Sequence, residues 1–133
     1  MSIETPAASA ALDHSLASEE RPWGSWQVID VAEGYKIKRI HVAVGSRLSL
    51  QTHEHRSEHW VVIQGVATCT VDDEIRTVRA GESIDVPTGA RHRLANDDSE
   101  VELVIVEVQL GPYTGEDDIC RLEDDYGRSP DIP

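Results

Sequence analysis

Histidine is unevenly spread along the chain: five of its six histidines lie between residues 41 and 92, and His53, His55 and His59 fall within seven residues of one another. Imidazole nitrogens at this density, with a carboxylate (Glu58) among them, have metal-ligand character. In an extended strand, residues two apart share a face, so Ser49, Gln51 and His53 line one side and His55 extends the row. A solvated polar loop, QTHEHRSEH, is the other reading of this stretch alone. A second segment, GESIDVPTGARHRLAN over 81–96, contains a tight turn shaped by Pro87 and Gly89, with His92 at the head of the strand that follows. That histidine is a distant fourth ligand for a site begun by the first stretch.

The elements that must position these groups read as short strands. Residues 35–42 alternate, with Ile37, Arg39 and His41 on one face and Lys38, Ile40 and Val42 on the other. Further strand-length runs cover Arg47–His53, His59–Val66, Ala67–Val71, Arg76–Val78, Ser83–Val86, Arg91–Ala95 and Val101–Leu110. Asp72-Asp73 is a hairpin signal. In the last run Val101, Leu103 and Ile105 oppose Val104, Val106 and Val108, which predicts a strand apolar on both faces. About eight short strands without a 3.6-residue period predict an all-β barrel or two-sheet jelly roll.

The chain has 133 residues, one domain by length. Residues 1–20 are expected to be a flexible arm, with a short helix over Ala7–Leu12 as the alternative. The folded domain is expected over 21–128, with its barrel core at about 36–110 and a tail at 129–133. Twelve basic against 25 acidic residues give a net charge of −13. This argues against nucleic-acid and anionic-membrane partners, because both bind basic surface. The acids concentrate after Leu94, as an acidic C-terminal extension, while 34–93 holds nine bases against seven acids and is expected to carry the chemistry. No apolar run is long enough to span a membrane, and the N-terminus lacks a basic flank before an apolar stretch, so a cytoplasmic protein is expected. Cys69 and Cys120, far apart and outside any CxxC spacing, are expected to be reduced, buried thiols.

The spacing Gly45-(5)-Gln51-x-His53-(4)-Glu58-(6)-Gly65 resembles the first cupin motif, with Gln51 where that motif has a histidine. Gly81-(5)-Pro87-x-Gly89-(2)-His92-(3)-Asn96 resembles the second in full. The resemblance implies a double-stranded β-helix binding one divalent metal through Gln51, His53, Glu58 and His92. A neutral amide in one position weakens the site and favours a harder ion; His55 is the substitute ligand if Gln51 only supports the others. Zn, Mn, Co and Ni all suit the mixed nitrogen and oxygen set.

The blocks RPWGSW, YKIKRI, LSLQTHEHRSEHWVVIQG, VPTGARHRL and VEVQLGPYTGEDDICRLEDDYGR narrow the likeness. Together they resemble type II phosphomannose isomerase, the C-terminal isomerase half of bifunctional mannose-1-phosphate guanylyltransferase/mannose-6-phosphate isomerases. Type I phosphomannose isomerases also set a Gln-x-His pair and a distant His on zinc, so Gln51 is in keeping with this chemistry. No nucleotidyltransferase domain or Gly-rich nucleotide loop accompanies the blocks. A freestanding isomerase is therefore expected, or a relic that kept only the fold.

The implied reaction, mannose 6-phosphate to fructose 6-phosphate, moves a proton between C1 and C2 of the open-chain sugar. Besides the metal it needs a base and a grip on the phosphate. His55, His59 and Lys36 or Lys38 are the base candidates, His55 first because it extends the His53 face. Basic side chains for the phosphate are Arg56 and Arg128, then Lys36 and Arg47, guanidinium being preferred for its bidentate fork. Arg91 and Arg93 flank His92 and alternate away from it. Trp23, Trp26 and Trp60 are expected to fill the core of a Phe-free protein rather than stack on sugar. A homodimer is expected, because pairing covers open sheet edges. The rival readings are a sugar- or sugar-nucleotide-binding module serving a separate guanylyltransferase, and a cupin oxygenase or epimerase.

Overall fold

The computed structural model describes residues 17–127. The short-helix alternative at Ala7–Leu12, Arg128 and the 129–133 tail lie outside the described residues, as does the expected arm up to residue 16. Eleven strands and no helix occur among the described residues, and no helix is long and apolar enough to cross a membrane. They are β1 (Ser18–Arg21), β2 (Gly24–Ala32), β3 (Tyr35–Val42), β4 (Leu50–Thr52), β5 (Ser57–Gln64), β6 (Val66–Val71), β7 (Glu74–Arg79), β8 (Ser83–Val86), β9 (His92–Ala95), β10 (Leu103–Leu110) and β11 (Cys120–Glu123).

All pairings are antiparallel and fall into two sheets, in the orders β1-β2-β3-β10-β5-β8 and β11-β4-β9-β6-β7. This is the expected two-sheet barrel, but its strands reach beyond 36–110 at both ends. β2 lies along the whole of β3 and contributes the buried Trp26 and Val28. β1 puts Ser18–Glu20, assigned by sequence to the arm, into the sheet. β11 closes the edge of the smaller sheet against β4.

Gly65 ends the run expected as His59–Val66. At φ 86° it carries the chain from the larger sheet into the smaller one, where an added Cβ would crowd the main-chain oxygen of Glu102 at 3.0 Å. Asp72-Asp73 makes the expected two-residue turn, Val71 pairing with Glu74 and Asp72 adopting φ 52°.

The interior is graded along its strands, and the grading positions the site. Ile105 faces inward between Ile40 and Val62, and Leu103 opposite Val42, so one end is apolar. Two and four residues on from Ile105, the same face of β10 carries Glu107, beside Lys38 and Trp60, and Gln109, beside Lys36 and Glu58. Buried carboxylates, amides and ammonium groups there must find partners, because an unpaired buried charge is strongly destabilising. Trp23, Trp26 and Trp60 are all buried and wall this polar end. Cys69 is buried, and its burial pushes the thiol up to about 11; Cys120, expected buried, is only partly covered because it sits on edge strand β11.

Candidate metal centre and pocket

His53, Glu58 and His92 each offer a buried ligand atom, and the three atoms lie within 4.8 Å of one another. They come from both sheets. β4 ends at Thr52, and residues 53–56 cross to β5, carrying His53 and Arg56 before Glu58 enters the strand. His92 opens β9 on the opposite sheet, directly after the turn at Pro87–Ala90. The Gly89 N–H donates to the His53 carbonyl at 2.9 Å, so the backbone of one motif is tied to the other.

Both imidazoles are fixed in one tautomer. The His53 Nδ1–H donates to the Asp118 main-chain oxygen at 2.6 Å, and the His92 Nδ1–H to the Ala90 oxygen at 2.9 Å. A carbonyl only accepts, so each Nε2 keeps its lone pair for the pocket. Burial first, and the Arg56 guanidinium second, lower His53 to about 4; burial also lowers His92. Both rings are therefore neutral at neutral pH, the form that binds metals. His92 Nε2 is buried and has no hydrogen-bond partner among the described residues. The Glu58 carboxylate accepts from Trp60 Nε1–H at 2.9 Å and from Arg56 Nε–H at 2.9 Å, and its Oε2 is 3.2 Å from His53 Nε2. Two neutral imidazoles with pinned outer nitrogens, an oriented carboxylate and one unsatisfied inward nitrogen fit a divalent metal well. Arg56 shares these ligand atoms, with a terminal nitrogen 3.3 Å from His53 Nε2.

Gln51 pairs with His92 across β4 and β9, and lines the same pocket. Its amide nitrogen donates to Ser49 Oγ at 3.0 Å, so the amide oxygen is the atom it could offer a ligand in the pocket.

The other residues singled out by sequence scatter. His55 is exposed and leans on Asp118, 3.3 Å away, rather than sharing the inward face with His53; alternation does not carry past Thr52, where the strand stops. His59 points outward between two inward neighbours, Glu58 and Trp60, and its Nδ1 meets the exposed Asp85 at 2.5 Å. Lys38 does face the pocket: it is 5 % exposed, its ammonium lies 3.9 Å from the Trp26 ring centre, and it donates to Glu116 at 2.7 Å. Lys36 donates to the Thr114 oxygen at 2.5 Å and to Glu116 at 3.0 Å. Arg47 lies outside, held by both oxygens of Asp125. Arg56 is buried among the candidate ligands His53 and Glu58. Arg91 and Arg93 turn away from His92 as expected, Arg91 to Asp73 and Arg93 to the Leu48 oxygen and Glu123.

Beyond residue 93, four charged groups line or support the pocket. Glu107 is buried, and burial together with the neighbouring Glu58 charge pushes it up to about 7. Its inward position was readable from its parity with Leu103 and Ile105. Glu116 is held below the usual carboxylate range; burial pushes it up, but Lys38 and Lys36 outweigh that. Asp118 likewise resists burial because the N–H groups of Glu54 and His55 donate to it at 3.0 Å each. Arg121 reaches the pocket from β11. For Glu116, Asp118 and Arg121 no local signal exists beyond the acidic block in which they sit, and that block proves to be part of the site.

The family model described as "Mannose-6-phosphate isomerase C-terminal" matches residues 10–124. The alginate biosynthesis protein AlgA of Pseudomonas aeruginosa is 49% identical over 109 residues, 82% of this chain and 22% of that protein. The mannose-1-phosphate guanylyltransferase ManC of Salmonella typhimurium is 43% identical over 127 residues, 95% of this chain and 26% of that protein. The chain thus spans about a quarter of the length of these relatives. Among solved structures, an oxalate decarboxylase from Lactobacillus farciminis superposes with a TM-score of 0.70 at 22% identity, over 83% of this chain and 34% of that one. A Klebsiella pneumoniae protein with a double-stranded β-helix domain gives 0.63 at 20% identity, over 73% and 82%. At that identity they show the fold, the cupin double-stranded β-helix.

Proposed function

The chain belongs to the mannose-6-phosphate isomerase C-terminal family, and from that membership we propose that it interconverts mannose 6-phosphate and fructose 6-phosphate as a metal-dependent aldose–ketose isomerase. The observation that carries the reading is the convergence of His53, Glu58 and His92 in a pocket that also holds a lysine–glutamate pair. His53, Glu58 and His92 would hold a divalent ion, with the Gln51 amide oxygen as a fourth donor. When bound, such an ion supplies Lewis acidity to adjacent carbonyl and hydroxyl oxygens and stabilises the negative charge that develops as a proton leaves the neighbouring carbon.

The chain's own residues do the rest. Glu116, kept ionised by Lys38 and Lys36, takes the proton from C2 of the aldose and returns it to C1. Lys38 Nζ, with its ammonium over Trp26, gives a proton to O1 as charge builds there and takes the O2 proton in return, ending as it began. Trp23, Trp26 and Trp60 wall the pocket and limit water around the reacting carbons. The names of the relatives support a place in polysaccharide precursor supply, since a guanylyltransferase consumes a mannose phosphate.

The test is a coupled assay of mannose 6-phosphate conversion with and without chelator, on the wild type and on His92→Ala. Turnover is expected to vanish on chelation, to return with a divalent ion, and to be lost in the variant along with bound metal. Turnover indifferent to both overturns the reading. Binding without turnover marks a non-catalytic module, and oxygen uptake with iron marks an oxygenase.

A further inference from the structure

Four cationic side chains line the pocket: Arg21, Lys38, Arg56 and Arg121. Three have anionic partners. Lys38 is paired with Glu116, Arg56 with Glu58, and Arg21 with Glu19. Arg121 forms no ion pair among the described residues, and its Nε is buried without a hydrogen-bond partner there. A buried guanidinium donor with no acceptor is rare in a folded protein and calls for a ligand or a water.

The strand register says where this donor points. Arg121 is the cross-strand partner of Gln51, and Gln51 is the partner of His92. Directly opposed residues in antiparallel strands project to the same face, so Arg121, Gln51 and His92 form one rung across the smaller sheet. Two strand spacings separate the ends of that rung, roughly 10 Å. The register shifts between Arg121 and Glu123, an irregularity of the kind that re-aims side chains beside sites.

We propose that Arg121, at the far end of the rung that carries Gln51 and His92, binds the phosphate of the sugar phosphate. The proposal rests on the isomerase reading for the identity of the sugar. An open-chain hexose 6-phosphate carries its phosphate at the opposite end from C1 and C2, so a dianion at β11 places the reacting carbons toward His92. The guanidinium fork meets two phosphate oxygens at once, which an ammonium does not. It also gives the dianion a local attraction within a protein of net charge −13. Of the residues expected from sequence, Arg128 lies outside the described residues and the others are committed elsewhere: Arg56 to the candidate ligands, Lys36 to Glu116 and Thr114, and Arg47 to Asp125 on the outside.

The experiment measures binding of mannose 6-phosphate, mannose and inorganic phosphate to the full chain. It compares the wild type with Arg121→Gln and Arg121→Lys by the fluorescence of the pocket tryptophans and by calorimetry. Arg121→Gln is expected to weaken mannose 6-phosphate binding roughly tenfold or more and to leave mannose unchanged. KM should rise more than kcat falls, and Arg121→Lys should recover part of the loss. A Kd for mannose 6-phosphate within about twofold of wild type in Arg121→Gln overturns the proposal, as does an equal loss for unphosphorylated mannose. If the Gln variant does not fold, Arg121→Lys decides: an unchanged Kd overturns the proposal and a several-fold weaker one supports it. Arg121-dependent binding with no turnover supports the phosphate site and removes the isomerase reading. Turnover with an unaltered KM in Arg121→Gln does the reverse.

Discussion

Asp118 is the residue through which the C-terminal segment holds the loop carrying His53, and replacing it by Ala tests that linkage. Its two carboxylate oxygens accept the N–H groups of Glu54 and His55 at 3.0 Å each, while its main-chain oxygen accepts His53 Nδ1–H at 2.6 Å. A hydrogen bond to a charged acceptor contributes about 1.5–3 kcal/mol. Glu54 and His55 are exposed, so water replaces part of what Ala removes, and the low end applies: about 3 kcal/mol for the pair. With a urea slope of about 1–3 kcal/mol per molar, the midpoint should fall by roughly 1–3 M. The main-chain acceptor for His53 survives the substitution, but the loop presenting it is no longer fixed. Partners of this kind are worth about 10–100-fold in metal affinity. Asp118→Asn keeps one accepting oxygen and should lose about half as much stability. The assays are urea unfolding in chelator, followed by tryptophan fluorescence, and metal titration against a competing chelator. An Asp118→Ala protein with a midpoint within about 0.3 M of wild type and unchanged metal affinity would refute the reasoning.

Acid should destabilise the chelated protein: His53 is held at about 4 in the folded state against about 6.5 unfolded, so stability is full above pH 6.5 and falls as pH drops toward 4. His53 alone contributes about 3 kcal/mol to that loss, and urea midpoints that stay flat from pH 7 to 5 count against it. Gln51→His, which replaces an amide oxygen by imidazole, should tighten Zn, Co and Ni more than Mn, read by competition with a coloured chelator; equal or weaker binding places Gln51 away from the metal. Gly111→Ala would drive a Cβ into the main-chain oxygen of His55 and to 2.9 Å from Arg56 Cα. Because backbone cannot move aside cheaply, it should cost about 1–3 kcal/mol and weaken metal binding, and an unchanged melting temperature would contradict that.

Legibility in the sequence followed the range over which each signal acts. His53, Glu58 and His92 could be picked out because short spacings, a Pro-Gly turn and strand alternation all act within a few residues. The same alternation failed for His55, since nothing local announces that β4 stops at Thr52 and the chain crosses between sheets. Lys38 shared a face with Ile40 and Val42 and was readable as inward. Glu107 and Gln109 share a face with Leu103 and Ile105 and are equally legible by parity, although the valines of the other face dominate the run. β2 carries no clean local pattern, because Ser, Gln and Asp interrupt its apolar residues.

The sequence by itself determined a two-sheet β barrel and the local geometry of its two ligand hairpins, because pleat and turn chemistry are short-range. Only the tertiary structure decided that Glu116 and Arg121 line the same pocket and that Asp118 supports its His53. Their segment is acidic and irregular, and its path is set by docking β11 against β4, a contact some 70 residues apart in the chain whose partner no local pattern can name.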